Sequence, residues 1–193
     1  MTKKHIITIA GKLGSGKSST SKMVASILSY EHASTGDFMR AMAEERGIKL
    51  DELSKIAETD DSVDLTIDKY TKELGDKNNI VIDSRLGFYF IPESFKVFLE
   101  LDPSIAALRI LEDKKSNPYR HNEAFGFDTK DEVIESINNR LLSERKRYKN
   151  LYDIEDITSN NNFDLVIDTS KMPLHEVAKK VIDEYYNWLK NQR

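Results

Sequence analysis

Four stretches of the chain are dense in branched and aromatic residues: His5-Ile6-Ile7-Thr8-Ile9-Ala10, Ile80-Val81-Ile82-Asp83, Phe95-Lys96-Val97-Phe98-Leu99-Glu100-Leu101 and Phe163-Asp164-Leu165-Val166-Ile167-Asp168. Short runs of this kind predict strands buried in a parallel sheet. Tyr30-Glu31-His32-Ala33-Ser34 reads as a further strand. Between these runs the apolar positions change to helical spacing. Met23, Val24, Ile27 and Leu28 mark a first helix, and Phe38, Met39, Met42 and Ala43 a second, entered through a turn at Ser34-Thr35-Gly36-Asp37 and ended by Gly47. A short helix is expected over residues 50–58. Another follows the acidic pair Asp60-Asp61, carries Val63, Ile67, Tyr70 and Leu74 on one face, and stops near Gly75.

Asp102-Pro103 has the capping side chain and first-turn proline of a helix start, and that helix runs through Ile105, Leu108 and Leu111. Residues 113–129 lack apolar periodicity and include Asn117-Pro118 and Gly126, so a loop is expected there. Thr129-x-x-Glu132 is a capping box, opening a helix with Val133, Ile134, Ile137 and Leu141. The last helix carries Leu174, Val177, Ala178, Val181, Ile182, Tyr185 and Leu189 as one apolar stripe for the core. Strands alternating with helices imply an α/β fold, a parallel five-stranded sheet covered by helices on both faces.

Composition narrows the function. With 193 residues, one domain is expected. The 29 basic and 33 acidic residues leave a net charge of −4, so no global attraction to nucleic acid or an anionic membrane is expected. The absence of cysteine excludes a disulfide framework and thiolate metal sites. The apolar run after Met1-Thr2-Lys3-Lys4 is too short for a signal-peptide core. A soluble cytoplasmic protein, monomeric or homodimeric, is the expectation.

The chemistry centres on Gly11-Lys12-Leu13-Gly14-Ser15-Gly16-Lys17-Ser18, which fits G-x-x-x-x-G-K-[ST] between a predicted strand and a predicted helix. Glycines there let backbone N–H groups turn inward at a helix N-terminus, where anions are favoured. Lys17 supplies a mobile charge for the β- and γ-phosphates, and Ser18 a hydroxyl for Mg²⁺. Such a loop binds a nucleoside triphosphate. A regulatory GTPase would need an N-K-x-D segment, which is absent from the sequence, and a translocating ATPase normally brings a larger chain. A small phosphotransferase fits, with an acceptor site and a lid.

Several further blocks resemble the nucleoside monophosphate kinases. They are Ser34-Thr35-Gly36-Asp37-Phe38-Met39-Arg40, Asp83-Ser84-Arg85-Leu86-Gly87, Arg140-x-x-Ser143-Glu144-x-x-Arg147-Tyr148 and Asp164-Leu165-Val166-Ile167-Asp168-Thr169-Ser170. Their order and spacing are most similar to cytidylate kinases of the archaeal type, over nearly the whole chain. The resemblance implies a P-loop NTPase fold with an acceptor-binding insert over about residues 36–78 and a lid over about 113–129. It also implies ATP as donor, with Mg²⁺, and CMP or dCMP as acceptor. ATP would lie against Gly11, Gly14, Ser15, Gly16, Lys17, Ser18 and Ser19, and the acceptor against Gly36, Asp37, Arg40 and Arg85.

Arg40 and Arg85 are implied to hold the acceptor phosphate, and chemistry supports this, because a guanidinium fork matches a phosphate. Arg140 and Arg147 are implied to stand near the transferring phosphoryl group. Asp83 would orient a Mg²⁺-bound water or the attacking phosphate, so Ser18 is the direct metal ligand and Asp83 acts through water. Asp37 is a second candidate acid, although a first-turn carboxylate needs no function to be there.

Ser84 stands where the family usually has glycine. Arg120, Lys114 or Lys115 would take the place of the family's first lid arginine. Asp61, Asp64 and Asp68 are candidates to accept a hydrogen bond from the cytosine amino group, or are ordinary exposed acids. Two other readings stay open: a kinase of another small acceptor, and a nucleotide-dependent binding protein without catalysis.

Overall fold

The computed structural model describes residues 4–116 and 128–191. Five strands form one sheet in the order β2-β3-β1-β4-β5, with β1 Ile6–Gly11, β2 Glu31–Ser34, β3 Ile80–Asp83, β4 Phe95–Glu100 and β5 Leu165–Asp168. Every strand pair is parallel. β1 is central, and all six of its residues are buried. Its side chains alternate between the two covered faces, as strand geometry requires.

On one face Ile7 and Ile9 pack with Val81, Val97 and Leu99 beneath α1 (Lys17–Leu28) and α8 (Leu174–Asn191), through Val24, Val177, Val181 and Tyr185. On the other, Ile6, Ile80 and Ile82 meet Leu74 and Ile91. Burying each large aliphatic side chain contributes roughly 1.5–3 kcal/mol, so the two-sided sheet is the rigid base of the molecule.

Three helices lie between β2 and β3: α2 (Thr35–Glu45), α3 (Leu50–Ile56) and α4 (Ser62–Leu74). They share a small core of Met42, Ala43, Leu53, Ala57 and Val63. α2 begins at Thr35, capped by the Ser34 hydroxyl, which accepts from Asp37 N at 3.2 Å. The expected turn at residues 34–37 is therefore the first turn of the helix itself. α5 (Gly87–Phe90) is a single turn that no periodicity announces.

α6 (Pro103–Ser116) and the 23-residue α7 (Lys130–Tyr152) pack through Ala106, Ala107, Ile110, Val133 and Ile137. The loop expected from residue 113 is thus corrected: residues 113–116 continue α6. The rest of that expectation, Arg120 included, falls mainly on residues outside those described. Thr129 and Glu132 make both bonds of the predicted capping box. Among the described residues, no helix is long and apolar enough to cross a membrane.

Candidate active site

β1 ends at Gly11, and the chain turns over the carboxyl edge of the sheet into α1. Gly14 and Gly16 sit at φ 76° and 82°, where an L side chain would be strained. Gly16 caps α1 without any side-chain hydrogen bond, and a Cβ added there would meet no protein atom within 4 Å. The first N–H groups of a helix have no intrahelical acceptor, so open space stands before unpaired donors. The loop is fastened from behind. Lys12 N donates to Leu99 O at 3.0 Å, and Thr169 Oγ1 donates to Ser15 O at 3.2 Å. The buried Ser15 hydroxyl has no partner.

The parallel register places Asp83, the last residue of β3, beside Ile9 of β1. Its carboxylate is 1% exposed; it pairs with Lys17 Nζ and accepts from Ser18 Oγ at 2.6 Å. Burial pushes the Lys17 ammonium below its ordinary pKa, and the Asp83 charge pulls it back. Arg85 follows two residues later. Its Nε lies 3.0 Å from Glu144 Oε1 on α7, and Arg140 Nε lies 3.1 Å from the same oxygen. Glu144 is 3% exposed. Its burial opposes ionisation, yet the charges of Arg85, Arg140 and Arg147 outweigh that and hold its carboxyl below the usual range.

These groups face a cleft of about 770 Å³. Its wall includes Gly11, Gly14, Ser15, Gly16, Lys17, Ser18 and Ser19 on the loop side. Asp83 joins these, and Gly36, Arg40, Arg85, Arg140 and Arg147 complete the lining. The residues expected to bind ATP or the acceptor, with Asp83, Arg140 and Arg147, are gathered there except Asp37, which is half-exposed and forms an ion pair with Arg40; Asp61, Lys114 and Lys115 do not line the cleft.

Ser18 and Asp83 together make a hydroxyl–carboxylate pair of the kind that suits Mg²⁺, which favours oxygen ligands and retains several waters. Among the described residues no group of three or more His, Asp or Glu could hold a metal; a cation shared with phosphates does not need one.

The structure corrects one reading and adds residues. Asp64 and Asp68 are not ordinary exposed acids: they are 4% and 5% exposed on α4 and also line the cleft. Arg147 Nη1 donates to Asp64 Oδ1 at 2.6 Å and to Oδ2 at 2.5 Å, and Tyr152 OH donates to Asp68. Arg147 therefore ties α7 to α4. Glu144 was missed as a site residue. The available signal was its position as a lone acid one turn from both Arg140 and Arg147.

Burial, then the neighbouring Asp64 charge, raises the Asp68 carboxyl to about 7. The folded chain therefore holds a proton that the unfolded chain has released across roughly pH 4–7, and stability is expected to fall as pH rises through that window. Asp68→Asn should flatten this slope and stabilise the protein at pH 8 by on the order of 2–4 kcal/mol. Urea unfolding at a series of pH values checks it; parallel profiles for parent and variant would contradict it.

Sheet, glycine loop and arginine-bearing cleft define a kinase of the P-loop class. The structure is similar to that of shikimate kinase from Bacteroides thetaiotaomicron, with a TM-score of 0.64 at 15% identity, covering 96% of this chain and 98% of that one. A likeness at that identity is one of fold.

The model of the cytidylate kinase-like family matches residues 6–171, and the chain belongs to this family; it is a nucleotide kinase. A cytidylate kinase from Methanocella arvoryzae is 35% identical over 183 residues, 93% of this chain and 97% of that protein. An S-adenosylmethionine-dependent nucleotide dehydratase from Lacinutrix mariniflava is 33% identical over 181 residues, 93% of this chain. This chain spans 35% of the length of that longer relative.

Proposed function

We propose that the protein transfers the γ-phosphoryl group of ATP to CMP or dCMP. The observation that carries this reading is the convergence of Lys17, Arg40, Arg85 and Arg140 on one cleft between the glycine loop and helices α2–α4. Cations on both sides suit two phosphate-bearing substrates brought end to end. The acceptor phosphate is already anionic and needs no strong base, so catalysis is positioning and charge neutralisation.

The loop from Gly11 to Ser19 takes the donor phosphates. Residues 36–78 form the acceptor side, where Gly36, Arg40 and Arg85 receive the acceptor phosphate and Asp37 steadies Arg40. Ser18, and Asp83 through water, are the residues that would hold Mg²⁺; the ion supplies further charge neutralisation at the phosphate oxygens. Asp64 and Asp68 stand on the acceptor wall, and a carboxylate there suits the cytosine N4 amino donor. The Methanocella relative is named for this substrate, and the longer Lacinutrix relative is named for a nucleotide substrate.

A coupled assay with ATP and a panel of CMP, dCMP, UMP, AMP, GMP, shikimate and gluconate tests the reading. The highest kcat/KM is expected with CMP or dCMP, with UMP disfavoured because a carbonyl replaces the amine. Turnover of only a non-nucleotide would overturn it. ATP binding without turnover of any acceptor would instead support a non-catalytic binding protein.

Arg85→Ala should raise the acceptor KM about 10- to 100-fold, the range of a charge-assisted hydrogen bond, and leave the ATP KM within a few-fold. Arg85→Lys should rescue poorly, since an ammonium lacks the planar fork. Equal weakening of both substrates would place Arg85 on the donor side.

A further inference from the structure

Glu144 is a costly residue for the fold alone. A carboxylate with 3% exposure carries a heavy desolvation penalty. One of its oxygens, Oε2, is buried without any hydrogen-bond partner. The other, Oε1, accepts from Arg140 Nε on α7 and forms an ion pair with Arg85, after β3, whose Nε lies 3.0 Å away. In both cases the contact is made through Nε. Both arginines also line the cleft. Two guanidinium groups brought this close would repel each other if no anion stood between them.

We infer that Glu144 is a positioning residue for phosphate transfer: it holds Arg85 and Arg140 by their Nε edges, so that their terminal nitrogens stand ready for phosphate oxygens. Both side chains then lose rotamer freedom during folding rather than on substrate binding, which strengthens the bound state. Glu144 also links the two arginines mechanically. An acceptor phosphate that fixes Arg85 thereby helps to fix Arg140, on the helix that borders the transferring group. The inference rests on the proposed kinase activity.

Steady-state kinetics of the full chain test it, with Glu144→Leu, Glu144→Gln and Arg85→Ala measured singly, and Glu144→Leu combined with Arg85→Ala. Glu144→Leu removes the carboxylate and should raise the acceptor KM about 10- to 100-fold, the range of a lost charge-assisted hydrogen bond. The ATP KM should stay within about two-fold. Glu144→Gln keeps an accepting oxygen without the charge and should fall between parent and Glu144→Leu.

In the Arg85→Ala background, Glu144→Leu should add little to the acceptor KM, because the group it positions is gone. A purely structural role would instead give additive effects and no rescue by glutamine. Additivity, or an acceptor KM for Glu144→Leu equal to that of the parent, overturns the inference. If Glu144→Leu does not fold, Glu144→Gln carries the test: a raised acceptor KM supports the inference, and parent-like kinetics overturn it. A parent enzyme that phosphorylates no nucleoside monophosphate overturns the kinase reading and this inference with it. A parent that turns over beside unaffected Glu144 variants overturns this inference alone.

Discussion

Lys17→Ala is expected to lower kcat by a factor on the order of 10²–10⁴ at saturating nucleotide, the range for removing a preorganised charge from transferring phosphate. Lys17 is the cation that the glycine loop motif fixes, whereas Lys12 of the same loop pairs with Glu100; the Lys17 ammonium is paired with Asp83. The donor phosphates would compete with that carboxylate for the ammonium. Burial lowers the Lys17 pKa, and phosphate charge beside it would raise it again. The variant also loses the cation beside the buried Asp83 carboxylate, which costs stability, although Ser18 Oγ still donates to it and Lys17 fills no apolar core. Far-UV circular dichroism and a coupled assay on the same preparation separate the two effects. Turnover within a few-fold of the parent would remove Lys17 from the reaction.

Arg147→Ala is expected to cost about 3–5 kcal/mol of stability, the usual penalty for removing one partner of a buried ion pair. Asp64 would be left without its guanidinium next to Asp68, and both carboxyls are nearly inaccessible. At about 2–4 °C per kcal/mol for a domain of this size, the melting temperature should fall by roughly 6–20 °C. If Arg147 also serves the reaction, as the family resemblance implies, kcat falls in addition.

The two roles separate on adding Asp64→Asn. Neutralising Asp64 should recover most of the lost stability and leave kcat low. Recovery of both by the second substitution would make Arg147 a structural tie only. A melting temperature unchanged by Arg147→Ala would contradict the buried pairing.

The glycine loop was legible because its chemistry lies in consecutive residues. Gly14 and Gly16 sit where the backbone must take positive φ, and the β-branched run before Gly11 could only be a buried strand. The same locality made the α7 start readable, since Thr129 and Glu132 cap one another within a single turn. Arg85 could be placed at the carboxyl end of a strand from the run Ile80–Asp83 alone.

Other features required the folded chain. α5 is too short for any periodicity to show, and the charged end of α6 is helical to Ser116 despite its polar composition. In sequence, Asp64 and Asp68 are acids on a helix, indistinguishable from solvated ones until α7 closes over them with Arg147 and Tyr152.

Glu144 is the clearest case. Sequence places it beside Arg140 and Arg147 by helical spacing, but its second partner, Arg85, lies on another element. Burial and long-range charge pairing belong to surfaces that meet only on folding. Motif chemistry and local helix signals could therefore be read from sequence, whereas tertiary packing decided which acids are buried and which arginines they hold.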